Sequence, residues 1–580
     1  MPSMGGVTRM YRWIVLSIAA IPLVLTGLRT PSTTLTWWTT HSLEKIRPYD
    51  AVPDKPQDSI HISAARNEFE SFQIVFRVES DLEGIDIQVS DLKGPDGAVL
   101  SASNVMIYFE RYLDLPKPSS IEGGAGEWPD ALIPRNDRYF GEKRNAFPFK
   151  LLARHDQPIW IEVYVPPSTS AGMYRGDVAV TISGKRETTI PVKLEVWNFD
   201  LPSTSTLPNS FGLNGLTAVR QHLGKYTNDN DVVRFTNLYR KAALWHRVSV
   251  HNGSMLPPRA SFNGDKATID WTGYDKEVGP FLDGTAIAPG QPLLGAKATS
   301  IDIPGVRNIQ REQERVLYLR AFAQHFREKG WINRLFNYLW DEPPPVKYDE
   351  LVRQGKLAHS ADSDIKNLVT ASFHPEWGGA VDIFVPIINC FAFKPGNLNN
   401  CDQQVEQPKM PNLWWYQSCA SHGCNMVGGD YFRGWPSYMI DVDAVANRIM
   451  PWLTWKYDVK GELYYAMNES YSHPEDAWNH IWLFGGNGDG TLFYPGRPRT
   501  IGGTSDIPIE SIRLKLIRDG LEDYEYLALL SKYEGREAAA KYVDRLVTNA
   551  HTYDRDPAML YNVRREIGER LSKANDGHRK

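Results

Sequence analysis

A change of hydrophobic period at PSTSTLP (202–208) constrains this chain more than any other feature. Upstream of it, short apolar alternations are separated by Pro, Gly, Asp and Ser. Ile161, Val163 and Val165 alternate with Glu162 and Tyr164, and Val192, Leu194 and Val196 alternate with Lys193 and Glu195. That is the period of half-buried antiparallel strands, so residues 34–206 are expected to form a β-sandwich domain.

Downstream, apolar runs alternate with longer helical stretches, each run ending in polar or aromatic residues, which is the pattern of a (β/α)8 TIM-like barrel over residues 207–507. Eight strands are expected near 207–213, 247–251, 300–303, 335–340, 368–373, 383–388, 413–417 and 463–466. Val316, Leu319, Phe322 and Phe326 recur on one face of a helix that ends at Gly330 and leads into the fourth strand. Residues 508–580 read as a C-terminal helical segment packed on the barrel. The fold class expected is thus multidomain α and β, a β-sandwich followed by a barrel and terminal helices.

The N-terminus carries Arg9 and Arg12, an uncharged run from Trp13 to Leu28, and then Arg29. Residues 1–33 therefore read as a signal peptide or an N-terminal anchor, which places the body of the protein outside the cytosol: secreted, periplasmic or at the cell surface. The four cysteines, Cys390, Cys401, Cys419 and Cys424, are clustered, and in an exported chain they read as two disulfides. Sequential pairing closes two small loops, although three connectivities are formally open. The spacing lacks the paired CxxC form of a structural zinc site, and neither a metal nor a cofactor is expected. With 64 Lys and Arg against 69 Asp and Glu, the chain has no basic bias, which argues against nucleic acid as a partner.

The sharpest chemical motif is LWDEPPP (339–345), in which an apolar strand ends in Trp340, Asp341 and Glu342 before three prolines stop it. Barrel active sites lie at this end of the strands. Adjacent strand residues normally face opposite sides, but at a strand end both acids can turn toward one bound ring. Two neighbouring carboxylates also shift each other, which suits one as a general acid and the other as a fixed charge. A second pair, Asp349 and Glu350, reads as a solvated helix start. A strand-end acid can equally cap the next helix.

AARNEFESFQIVFR (64–77), SAGMYRGDVAVTI (170–182), LWDEPPP, GDGTLFYPG (488–496) and RDGLEDYEYL (518–527) together resemble glycoside hydrolase family 123, in order and over nearly the whole exported chain. The resemblance implies an exo-acting β-N-acetylgalactosaminidase whose catalytic pair, an adjacent Asp and Glu, maps onto Asp341 and Glu342. Conventional retaining glycosidases hold their two carboxyl groups about 5–5.5 Å apart across the ring, and substrate-assisted enzymes are an exception. In that chemistry the sugar's 2-acetamido oxygen attacks the anomeric carbon. Glu342 then serves as acid and later as base, and Asp341 orients the acetamido group.

Near other expected strand ends, Asn214, His374, Asn389, Tyr416, Tyr438, Tyr465 and Asn468 are candidate sugar-binding residues, and Trp435 in GGDYFRGWP (428–436) is a candidate ring platform. Each also has an ordinary reading as a loop cap or core filler. The charges of RDGLEDYEYL read as a structural network, and Gly485, Gly486, Gly488 and Gly490 as a turn. Two alternatives stay open. One is a conventional glycosidase on another sugar, with Glu342 as acid and Glu376 or Glu469 as the second carboxylate. The other is a noncatalytic glycan-binding protein. The expected partner is a glycan with a terminal 2-acetamido sugar.

Overall fold

The computed structural model describes residues 34–253, 256–394, 412–424 and 426–578. The N-terminal export segment and Cys401 lie outside them. The N-terminal region holds two seven-stranded sheets. Ile161, Val163 and Val165 from one sheet share an apolar core with Val192, Leu194 and Val196 from the other, as their alternation requires.

One expectation fails here. The strand Gln157–Val165 is buried along its whole length rather than on one face. Its second face is covered by the C-terminal helix Ile512–Glu534, where Arg518 and Lys515 both pair with Glu162, and Tyr164 packs with Trp245. Burial alone raises a carboxyl, but Arg518, Lys515 and Arg138 hold Glu162 well below the usual carboxylate range.

The first sheet is also completed from far along the chain, since Ile507–Ser511 and Phe493–Gly496 extend it beyond Gly126–Pro134. Arg513 stands at that junction. Its guanidinium pairs with Asp130 at 2.8 and 3.0 Å and also donates to the carbonyls of Tyr438 and Gly488, all buried. Removing one partner from such a site strands a charge. Asp130→Ala is therefore expected to cost about 3–5 kcal/mol of unfolding free energy, read by denaturant titration.

The middle of the chain contains eight parallel strands: β1 (Asn209–Gly212), β2 (Val250–His251), β3 (Ile301–Asp302), β4 (Leu335–Asp341), β5 (Lys366–Thr370), β6 (Ile383–Phe384), β7 (Trp414–Tyr416) and β8 (Gly461–Tyr464). Each falls on an expected position. One sheet runs β2-β1-β8-β7 and the other β3-β4-β5-β6, while the parallel bridges Phe384↔Leu413 and Ile387↔Tyr416 connect β6 to β7. The strands are thus neighbours in chain order. Between β2 and β3 there is no ladder among the described residues, so the pairing does not establish a closed barrel. There the Asn252 amide donates to the Asp302 carboxylate instead, at 3.0 Å.

The helix before β4 spans Glu312–Glu328 and buries Leu319, Phe322 and Phe326 as its period predicts. Residues after 508 are not uniformly helical. They begin with the strand Ile507–Ser511, and a short ribbon, Val547–Asn549 with Thr552–Tyr553, interrupts the helices. Arg448 and Arg564 both pair with Asp523, and Arg247 pairs with Glu522, so the charges of RDGLEDYEYL lock the terminal helix to its surroundings. No described helix is long and apolar enough to cross a membrane.

Candidate active site

The placement of the two adjacent acids follows from an irregularity in β4. Tyr338 pairs with Leu368, but the next pairs are Trp340 with Val369 and Asp341 with Thr370, so one extra residue has been accommodated on the β4 side. Phe336, Leu368 and Tyr416 belong to one buried cluster, against which Tyr338 packs. In a regular strand Asp341, three residues after Tyr338, would face the opposite way. The bulge reverses the parity and brings Asp341 onto Tyr338's side, which is the usual use of such an insertion. Asp341 Oδ1 accepts from the Tyr338 hydroxyl at 2.9 Å and from Thr370 Oγ1 at 2.8 Å.

Glu342 then adopts φ +43°, a left-handed conformation that costs a non-glycine residue about 1–3 kcal/mol. Its amide donates to Thr370 Oγ1 at 2.8 Å, which fixes the turn, and Pro343, Pro344 and Pro345 prevent the strand from resuming. The carboxylate accepts from the Tyr416 hydroxyl at 2.5 Å and from Ser421. One threonine hydroxyl therefore joins both acids, donating to one side chain and accepting from the backbone of the other. Thr370→Val is expected to lower kcat by about ten- to a hundredfold while leaving the thermal midpoint nearly unchanged, as steady-state kinetics and a melting curve will show.

Both acids are solvent-exposed, and among the described residues neither is in a salt bridge. Their polar neighbours are neutral donors. Burial pushes the Tyr416 phenol well above its ordinary value and Glu342 adds to the shift; burial and Asp341 do the same for Tyr338. Both phenols therefore stay protonated and donate. Beside Asp341 opens a cavity of about 330 Å³, walled by Tyr338, Asn337, Asp302, Asn252 and Arg307. Its volume suits a single sugar ring better than a long chain.

Of the candidates read from sequence, Asp341, Glu342 and Tyr416 come together. Asn214 caps the helix Gly215–Leu223 through Thr217 N, and its backbone is bonded to buried Asn468 in both directions. These two residues hold loops. Asn389 is buried and donates to the His422 carbonyl and the Tyr431 hydroxyl. Tyr438 is fully buried against Glu462.

Trp435 is corrected as a ring platform: it is 3% exposed and its indole donates to the Tyr431 carbonyl, so no broad face is offered to a ligand. His374 stacks on Trp377 and binds Glu376 at 2.9 Å, which engages one of the two alternative carboxylates. The other, Glu469, is partly buried, and burial raises its carboxyl; no described hydrogen bond ties it to the acid pair. Tyr465 lies at the end of β8, its ring edge-on to Phe484.

The loop carrying Ser421 is closed by the Cys419–Cys424 disulfide. The other expected bridge involves Cys401 and lies outside the described residues. Gly485 to Gly490 form a hairpin turn against this loop, and a side chain at Gly486 would meet Cys419 Sγ at 2.4 Å. The sequence reading missed Thr370, Tyr338, Ser421, Asp302 and Arg307. Thr370 and Tyr338 carried a signal in their place at or near the ends of expected strands, whereas Ser421 sits in an irregular loop that periodicity does not reach.

Comparisons with known proteins agree with this geometry. A family model described as Glycoside hydrolase 123, catalytic domain, matches residues 310–530, and one described as Glycoside hydrolase 123 N-terminal domain matches residues 39–182. Among solved structures, a family 123 glycoside hydrolase from Clostridium perfringens, described in a study of glycolipid glycan hydrolysis, aligns with TM-score 0.64 at 15% identity. The alignment covers 94% of this chain and 98% of that one. A Bacteroides ovatus GH5 xyloglucanase aligns at TM-score 0.25 and 10% identity over 80% of this chain and 98% of its own, too weakly to bear on the fold. A β-glucosidase from Listeria innocua aligns at TM-score 0.13 and 11% identity over 29% of this chain and 17% of its own. No curated protein matches.

Proposed function

The chain belongs to glycoside hydrolase family 123, its two family models together spanning more than half of it, and from that premise we propose a retaining β-N-acetylgalactosaminidase-like activity assisted by the substrate's 2-acetamido group. That it is a glycoside hydrolase follows from the membership itself. The observation that carries the finer reading is the bulged strand end, which sets Asp341 and Glu342 side by side, exposed and held by neutral donors.

In this mechanism Glu342 donates its proton to the glycosidic oxygen as the bond from that oxygen to C1 breaks. The acetamido carbonyl oxygen forms the new bond to C1, and Asp341 receives the acetamido N–H and balances the positive charge of the oxazolinium ring. Glu342, now ionised, takes a proton from water as the water attacks C1, and the ring opens to the sugar with retained configuration. Both protein tasks lie on one side of the sugar. Adjacent acids suit them, whereas a conventional nucleophile would have to face Glu342 across the ring.

The eight strands in chain order support a (β/α)8 catalytic domain, and the two N-terminal sheets around one core support a β-sandwich. The Cys419–Cys424 disulfide and the charge pattern of residues 9–29 support export. The activity is tested by screening nitrophenyl glycosides and natural glycans. Hydrolysis of a β-linked 2-acetamido sugar is the expected result, and turnover confined to sugars without the acetamido group would refute it.

A further inference from the structure

The cavity beside Asp341 contains a carboxylate that the mechanism above does not use. Asp302 ends β3, the strand next to β4, and its side chain lines the same cavity as Asp341. One oxygen, Oδ1, accepts from the Asn252 amide at 3.0 Å, which fixes the carboxylate's orientation. The other has no partner among the described residues, and no cation pairs with the group there. Arg307, on the same wall, donates to the Tyr338 carbonyl at 3.1 Å rather than to Asp302. Asp302 is thus a fixed acceptor with a free oxygen facing space large enough for one sugar ring.

Neighbouring strands lie about 4.8 Å apart. If Asp341 holds the substituent on C2, an acceptor one strand over reaches the C3–C4 edge of the same ring and not the scissile bond. We propose that Asp302 is a specificity-determining residue that accepts the C4 hydroxyl of the terminal sugar and so discriminates between galacto and gluco epimers. This inference rests on the reading of the cavity as the site of a terminal 2-acetamido sugar. A buried or fixed acceptor rejects a ligand that leaves it unpaired far more strongly than an apolar wall does.

The experiment compares kcat/KM for the nitrophenyl β-glycosides of N-acetylgalactosamine and N-acetylglucosamine in the parent enzyme and in Asp302→Asn. Asparagine keeps an oxygen for the Asn252 amide, so an unchanged melting curve is the control for folding. The ratio between the two epimers is expected to shrink by roughly ten- to a hundredfold, with the change mainly in KM. An unchanged ratio overturns the proposal, as does a collapse of kcat on both epimers with KM retained, which would make Asp302 part of the chemistry. If the parent enzyme neither hydrolyses nor binds either sugar, the underlying reading of the cavity fails first. Calorimetry with the two free sugars identifies that case.

Discussion

Glu342→Gln is expected to lower kcat on an unactivated glycoside by about 10²–10⁴-fold, the range spanned by a single acid–base group. Glutamine keeps a carbonyl oxygen for the hydroxyls of Tyr416 and Ser421, so the left-handed turn and the loop contacts persist while the transferable proton is lost. The loss should be smaller on a nitrophenyl glycoside, whose leaving group needs less protonation. Binding should change little, and calorimetry with the natural glycan will measure it directly. A variant that binds glycan and shows unaltered turnover would point to another acid, and a parent protein that binds without turnover would point to a noncatalytic glycan receptor.

Asp341→Asn is expected to lower kcat by about 10²–10³-fold, comparable with the removal of one preorganised electrostatic contact to a developing charge. The asparagine oxygen can still accept from Tyr338 and Thr370, so the bulge need not relax. The missing element is the negative charge beside the oxazolinium ring. Substrates with an electron-poor acetamido group should already react slowly with the parent enzyme, because their carbonyl oxygen is a weaker nucleophile. They should lose comparatively little more in the variant. Equal sensitivity of all substrates to the substitution would indicate that Asp341 supports the strand end and not the reaction.

The sequence showed where the acids are but not how they come to point together. The prolines and the apolar run before Trp340 located the strand end, and strand alternation then set Asp341 and Glu342 on opposite faces. The resolution lies in the extra residue between Tyr338 and Trp340 and in the φ of Glu342, neither of which leaves a mark in hydrophobic pattern. Periodicity likewise found all eight parallel strands, because each carries its own apolar run, while the closure of the ring depends on pairing between segments far apart in the chain. The strand Gln157–Val165 reads as half-buried because its second face is occupied by charged partners, and Glu162 looks like a surface residue until Arg518 and Lys515 are placed against it. Trp435 misled for the converse reason, since a large aromatic in a Gly- and Pro-bounded loop can be a ring platform or a plug, and only packing separates the two.

The central claim, that the sugar's own acetamido group is the nucleophile above an adjacent acid pair, is tested most directly with a nonhydrolysable thiazoline analogue of the oxazolinium intermediate. Competitive inhibition of the parent enzyme, weakened in Asp341→Asn, is the predicted result. Full activity on a 2-acetamido glycoside at saturating thiazoline would contradict it.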